Sequence, residues 1–302
     1  MRIVVSGASG LLGSSLVPAL REAGHEVVRL VRRDAQAADE MAWGPAAGAL
    51  DPAALAGADA VVNLSGANIG RRWTKERKRE IRESRVVTTS LLARALSQLD
   101  SPASVFVCAG GVGVYGDRGD EILTEESEAG EGFLASVLVE KEAATEPARE
   151  AGIRVVNLRQ GIILSAEGGA LARMLPFFKL GVGGRVGSGR QWWSWVSMKD
   201  MVAAYRFVLE GDLAGPVNVA SPDLVRSAQF VKSLGRVLRR PTVFPVPALG
   251  IKTLWGEMGE AALLEGQRAL PKRLLAAGFT FGDPELEAAL RRTLEASPRT
   301  AS

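Results

Sequence analysis

The chain has 302 residues, enough for one large α/β domain or two smaller ones with an ample core. Its 37 basic and 34 acidic residues leave a net charge of +3, too balanced to point to nucleic acid, and 47% hydrophobic and 24% charged residues fit an ordinary globular protein. No apolar run is long enough to span a bilayer, the single cysteine (Cys108) excludes an internal disulfide, and with one histidine (His25) there is no Cys/His cluster for zinc.

Only Arg2 precedes the first apolar run, so no signal peptide is predicted and a cytoplasmic location is expected; neither membrane nor metal is expected. Residues 2–6 read as a strand and 11–23 as a helix that Gly24 ends. Between them lies Gly7-Ala8-Ser9-Gly10-Leu11-Leu12-Gly13. Its glycines let backbone approach a ligand closely, and a helix N-terminus offers free N–H groups and a positive dipole end to a phosphate. The spacing is a variant of the G-x-G-x-x-G dinucleotide fingerprint, and its place between a strand and a helix gives it weight. Gly7, Ser9, Gly10, Leu11 and Leu12 are therefore candidate dinucleotide contacts.

Residues 26–31 form the second predicted strand, followed at once by Arg32 and Arg33. An arginine there accommodates the 2′-phosphate of NADP, whereas an acid would bind the 2′-hydroxyl of NAD. Asp34 follows, which leaves NAD open. A strand over 60–64 runs into Asn63-Leu64-Ser65-Gly66-Ala67, whose small residues let backbone pass close to a ribose. The long helix 75–99 begins in the basic run Arg71–Arg79. Glu76, Glu80 and Glu83 on that helix favour a solvated, salt-bridged face over nucleic-acid binding, with Glu80, Ser84 and Arg85 placed to face a cofactor.

A strand over 104–108, a helix over 133–151 and a strand over 153–158 continue the alternation. Such alternation predicts a doubly wound parallel sheet whose ligands sit at the carboxyl ends of the strands. Cys108 reads as inert core. Beyond residue 165 the chain becomes rich in glycine, then predicts a helix over 198–210, a strand over 216–219, a helix over 227–238 and a mainly helical C-terminus. Trp192, Trp193 and Trp195 either hold a planar or charged substrate or cover a junction.

Taken together, Gly7–Gly13, Asn63–Asn68, Arg72-Trp73-Thr74, Ser84-Arg85, Tyr115-Gly116-Asp117, Arg159–Leu164, Gly181–Trp195, Gly266-Gln267-Arg268 and Gly278-Phe279 resemble the extended short-chain dehydrogenase/reductase superfamily. Within it the chain is most similar to an atypical, epimerase-like branch. The resemblance implies a Rossmann-type fold over 1–165, a small, mainly helical substrate-side subdomain over 166–302 partly interleaved with the sheet, and bound NADP. It also implies cofactor contacts from Arg32, Leu64, Ser65, Glu80, Arg85 and Ile162, and a nucleotide sugar or similar polar substrate. A homodimer fits this picture.

Active members of the superfamily pair a tyrosine with a lysine four residues later on one helix face, so that the ammonium lowers the phenol's pKa. Here Val137 stands in the tyrosine slot, Lys141 keeps the lysine slot, and the expected serine falls at Gly110 or Gly111. Tyr115 is the candidate substitute acid/base. Three readings follow: an NADP-dependent epimerase or reductase, an NADP-binding sensor or interaction protein without ordinary catalysis, and nucleic-acid association through residues 71–85.

Overall fold

The computed structural model describes residues 1–296. Its strands are β1 (Arg2–Ser6), β2 (Glu26–Val31), β3 (Glu40–Ala42), β4 (Ala60–Asn63), β5 (Val105–Gly111), β6 (Ile122–Leu123), β7 (Arg154–Gln160), β8 (Ile162–Leu164), β9 (Trp192–Trp193), β10 (Trp195–Ser197), β11 (Gly215–Val219), β12 (Val225–Arg226) and β13 (Arg268–Ala269). Its helices are α1 (Gly13–Glu22), α2 (Lys75–Ser97), α3 (Phe133–Ala143), α4 (Glu146–Glu150), α5 (Gly169–Lys179), α6 (Met198–Glu210), α7 (Ser227–Leu238), α8 (Ala248–Trp255), α9 (Glu257–Gly259), α10 (Lys272–Ala276) and α11 (Leu286–Ala296).

Seven strands form one parallel sheet in the order β11-β7-β5-β4-β1-β2-β3. The chain winds outward through β2 and β3 on one side of β1, then through β4, β5, β7 and β11 on the other. The switch lies between β1 and β4, where an open α/β sheet leaves a crevice at the carboxyl ends of its strands. The fold is the doubly wound, Rossmann-like sheet predicted from the alternation.

Alternate residues of each central strand feed opposite layers, as the two-residue period requires. Ile3, Val5, Val62, Val107 and Leu158 pack with Leu16 and Leu20 of α1 and with Met201 and Tyr205 of α6. Val4, Val61 and Phe106 pack on the other face against Leu92 and Leu96 of α2. Each such buried side chain contributes about 1.5–3 kcal/mol relative to exposure. A third cluster joins Leu171 and Phe178 of α5, Trp193, Trp195, Phe230 of α7 and Leu290 of α11.

Three local expectations change. The helix predicted over 133–151 is two helices, α3 and α4, interrupted at Ala144–Thr145. β5 runs on to Gly111, because its backbone keeps pairing with β7 through Gln160. β3 escapes the sequence pattern, being three residues long with little apolar alternation. Past residue 165, α6 and β11 return to the main sheet, so the two halves share one core.

Candidate functional site

The glycine turn sits at the carboxyl end of β1. Gly7 has φ +73°, and a Cβ there would lie 2.7 Å from the Leu64 carbonyl carbon and 2.9 Å from the Ser65 nitrogen. Only glycine permits that conformation and that approach of the β1 turn to the β4 loop. Gly13 is as constrained, since a Cβ would lie 2.5 Å from the Ala8 carbonyl oxygen. The Gly10 N–H donates to the Gly7 carbonyl (3.0 Å), closing the turn before α1 begins. In the first turn of α1 the Ser14 N–H donates to the Gly10 carbonyl (2.9 Å) and the Ser15 and Leu16 N–H groups to the Leu12 carbonyl (3.1 and 2.8 Å), which leaves the Leu11, Leu12 and Gly13 N–H groups as the free donors among the described residues. Ser9 and Gly10 are exposed there and Leu11 is half-buried, but the Leu12 side chain is in the core, so Leu12 can present only its backbone.

Asn63 braces this turn from below. The buried Ser6 hydroxyl donates to Asn63 Oδ1 (2.8 Å), the Ser65 N–H donates to the same oxygen (3.0 Å), and Asn63 Nδ2 donates to Thr89 of α2 (2.9 Å). Asn63, expected among the cofactor contacts, is thus fully buried and ties β1, β4 and α2 together. Leu64 and Ser65 follow it into the crevice, half-buried.

At the end of β2 the two arginines separate. Arg33 donates from both terminal nitrogens to Glu40 (2.8 and 2.7 Å), which also accepts from the Gln36 N–H. Arg33 therefore closes the β2–β3 connection, and Arg32 is the less engaged of the two arginines beside the same cavity. Arg32 is exposed and forms no salt bridge among the described residues. A shallow cavity of about 340 Å³ opens beside it, lined by Arg32, Asp34, Trp43, Gly44 and Leu50. A larger cavity of about 410 Å³ lies elsewhere, toward the amino ends of β7 and β11, away from these loops.

The β4–β5 side of the crevice is cationic. Arg85 of α2 packs over Gly66, whose added Cβ would lie 3.1 Å from the guanidinium carbon, and donates only to the Ile81 carbonyl of its own helix (3.1 Å). Burial, with Arg77 nearby, pulls its pKa down to about 10. Lys141 of α3 is 3% exposed and donates to the Ala109 carbonyl of β5 (2.6 Å). Burial brings its pKa down to about 8, so at neutral pH the amine keeps its proton but holds it far less firmly than an ordinary lysine. Cys108 beside it is pushed up to about 12 by burial and remains a thiol. Glu80 lies at the outer edge, paired with Arg77. The expected salt-bridged face of α2 is present: Lys78 pairs with Glu257 and Arg82 with Glu140. Ile162 opens β8 at the carboxyl end of β7, half-buried, its N–H donating to the Ser194 carbonyl (2.7 Å).

Tyr115 differs from its expected role. The residue is 0% exposed; its hydroxyl donates to Asn218 (2.7 Å) and accepts from Arg159 (2.9 Å). Arg159 in turn grips both carboxylate oxygens of Glu142 at 2.8 Å. Burial raises the phenol's pKa, the reverse of what a proton-transferring tyrosine needs. It bolts β5, β7 and β11 together and offers no face to a substrate. Val137 in the helix slot is itself buried, and both Gly110 and Gly111 leave the serine slot without a hydroxyl.

One residue at the crevice was missed by sequence reasoning. Arg173 of α5 reaches the Gly70 carbonyl and Asn68 Oδ1, while Gly168 and Gly169 pack on Leu11 of the glycine turn. The start of α5 thus crosses the mouth of the crevice. More than a hundred residues separate Arg173 from its partners, and no local pattern announces such a contact. Of the tryptophans, Trp193 and Trp195 are core, and Trp193 stacks edge-on to Phe230 at 5.3 Å. Trp192 is half-buried between Arg226 and Arg268, 4.5 and 4.3 Å from their guanidinium carbons, with its N–H donated to Asp120 (2.7 Å).

Residues 3–220, from β1 through β11, match the model of the NAD dependent epimerase/dehydratase family. The chain belongs to that family. Residues 246–293 match a further domain model of unknown function, DUF1731. The chain is 44% identical to epimerase family protein Mb2239 of Mycobacterium bovis, covering 92% of this chain and 93% of that one. It is 34% identical to the human epimerase family protein SDR39U1, over 96% of this chain and 99% of the relative. A crystal structure of human SDR39U1 isoform 2 with NADPH superposes with a TM-score of 0.90 at 33% identity, covering 98% and 100% of the two chains. A nucleoside-diphosphate sugar epimerase from Corynebacterium glutamicum superposes at 0.79 with 35% identity over 97% of this chain and 58% of that one. The UDP-glucose 4-epimerase of Thermotoga maritima shares the fold, with a TM-score of 0.78 at 17% identity.

Proposed function

We propose that this member of the epimerase/dehydratase family binds NADPH and acts as an epimerase-like oxidoreductase or isomerase on a polar carbonyl or hydroxyl compound, a nucleotide sugar being the first class to try. Arg32 carries the choice of nucleotide: it is the cation left free at the end of β2, where an acid would favour NAD. The NADPH of the human relative supports the same choice. Gly7 and Gly10 with the backbone of Leu11 and Leu12 would hold the pyrophosphate, Arg32 the 2′-phosphate, and Leu64 and Ser65 the adenosine side, with Arg85 and Ile162 lining the far end. The bound nucleotide would supply hydride transfer. Lys141, whose pKa burial brings down to about 8, is the candidate to hold or move a proton.

A second reading has its own support. With Val137, Gly111 and the sealed Tyr115, no hydroxyl of the usual pair stands at the site, which favours an NADPH-binding sensor or interaction protein. Thermal-shift titration tests the shared foundation: NADPH should protect better than NADH, and Arg32→Glu should remove the preference. Equal protection by both nucleotides would sink the assignment of Arg32. NADPH oxidation with carbonyl compounds, and epimerisation assays with nucleotide sugars, then separate the two readings. Turnover abolished by Lys141→Met with NADPH still bound supports the enzyme; no turnover across the panel supports the sensor.

A further inference from the structure

Five large apolar side chains lie exposed together on the C-terminal side of the molecule. Phe177 and Leu180 leave the last turn of α5, Val182 follows, and Val243 and Phe244 come from the segment after α7; Leu180 is 77% and Val243 72% exposed. The backbone holds the two segments side by side. Gly184 bridges Val243, the Val246 N–H donates to the Arg185 carbonyl (2.8 Å), and a Cβ on Gly181 would touch the Pro241 ring at 3.9 Å. Phe178, between the exposed pair, turns inward under Gly183, so the outward placement of its neighbours follows from the helix geometry.

Along the two segments that form this ledge the charge has one sign, although Arg226, Arg236 and Lys252 pair with acids from elsewhere. Residues 168–199 contain five Lys or Arg, and 224–256 contain six, with no Asp or Glu in either stretch. Lys179, Arg185, Arg239 and Arg240, which flank the apolar side chains in sequence, form no salt bridge among the described residues. Arg239 closes α7 in the left-handed conformation (φ 54°) usually left to glycine. That conformation turns the chain sharply and sends Arg239 and Arg240 into solvent beside Pro241.

We propose that this ledge docks the protein on an anionic lipid surface, the apolar side chains entering the interface and the four cations meeting the headgroups. Two other occupants fit less well. A two-fold contact between copies of this chain would set the unpaired cations against themselves. Nucleic acid would use cations with stacking aromatics and leave Leu180, Val182 and Val243 without a partner. Exposed apolar side chains flanked in sequence by unpaired cations match a bilayer interface. No described helix is long and apolar enough to cross a membrane, and a surface-bound mode needs none. The sequence-based expectation of no membrane partner rested on spanning alone.

Cosedimentation of the full chain with phosphatidylcholine vesicles, with and without phosphatidylglycerol, tests this. Binding should require phosphatidylglycerol and weaken with salt. Arg239→Glu/Arg240→Glu should lower partitioning by about tenfold or more. Leu180→Ser/Phe244→Ser should lower it comparably, whereas Arg94→Glu on α2 should leave it unchanged. Light scattering and the NADPH thermal shift confirm that each variant is folded and report on self-association. Equal binding to neutral vesicles, no binding to anionic ones, or indifference to the ledge variants would overturn the proposal. So would a dimer, or a single-stranded DNA complex, lost in those variants while vesicles are ignored.

Discussion

At Gly7 one hydrogen atom is the margin between the close approach of the β1 turn to the β4 loop and a steric clash. Gly7→Ala must hold a Cβ at φ +73° against Leu64 and Ser65, so the β1 turn and the β4 loop have to part. The expected cost is about 1–3 kcal/mol of stability. NADPH affinity measured by fluorescence titration should fall at least about tenfold, the equivalent of roughly 1.4 kcal/mol. Lys141 gives a prediction with a sign. Its folded pKa of about 8 lies below the ordinary 10.5, so between those values the unfolded chain holds more protons than the folded one. Stability from this group therefore rises with pH across that window and is at its poorest below pH 8, where both states carry the charge. In the ligand-free protein, Lys141→Met should raise the thermal midpoint at neutral pH by an amount reflecting up to about 3 kcal/mol. Its advantage over wild type should shrink as the buffer is taken from pH 8 toward 10.5. Tyr115→Phe makes the opposite case. It strands an Arg159 donor and the Asn218 oxygen, so a loss of about 1–3 kcal/mol is expected in denaturant unfolding. NADPH binding should be unchanged.

Elements were legible in the sequence where the physics that forms them is local. β1, α1, β2 and α2 follow from apolar periodicity and glycine placement, and their bounds moved by a residue or two. What could not be read was pairing at a distance. Nothing near Arg33 marks Glu40 as its partner, so Arg32 and Arg33 looked equivalent. Tyr115 looked available because its loop follows β5; Arg159 and Asn218, which close over it, come from β7 and β11. The same strand end holds the vacant serine slot, at Gly110 or Gly111. A Cβ on Gly110 would lie 3.2 Å from the Leu158 carbonyl oxygen, whereas at Gly111 the nearest atom is 3.7 Å away and φ is an ordinary −156°. Gly111→Ser should therefore leave the stability within about 0.5 kcal/mol of wild type, read from its thermal midpoint. Gly110→Ser should cost about 1–3 kcal/mol, because the β5–β7 pairing has to open. If both variants melt like wild type, the β5 end is looser than its register implies.

Over the whole molecule, the question is whether the substrate-side elements behave as a separate body. The buried polar groups say they do not. Glu125 accepts from the Asn218 N–H of β11 (3.0 Å) and the Arg273 N–H of α10 (3.2 Å), joining the β6 loop to both. Asp200, 2% exposed on α6, takes the Gly282 and Asp283 N–H groups at 2.7 and 2.9 Å, pinning the turn before α11 onto the helix that covers the sheet. The Asn218 and Asp283 N–H groups are buried and, without their carboxylate acceptors, cannot recover those bonds from water, so each carries its full desolvation cost. Asp200→Ala should cost about 2–4 kcal/mol on that basis. Because α6 also belongs to the sheet's own core, the loss should lower one cooperative transition and not split off a second. Calorimetry of the two proteins checks both parts. A low-temperature transition appearing in the variant, with the main peak unmoved, would mean that the C-terminal elements fold as an independent unit. The crevice between them and the glycine turn would then open on its own.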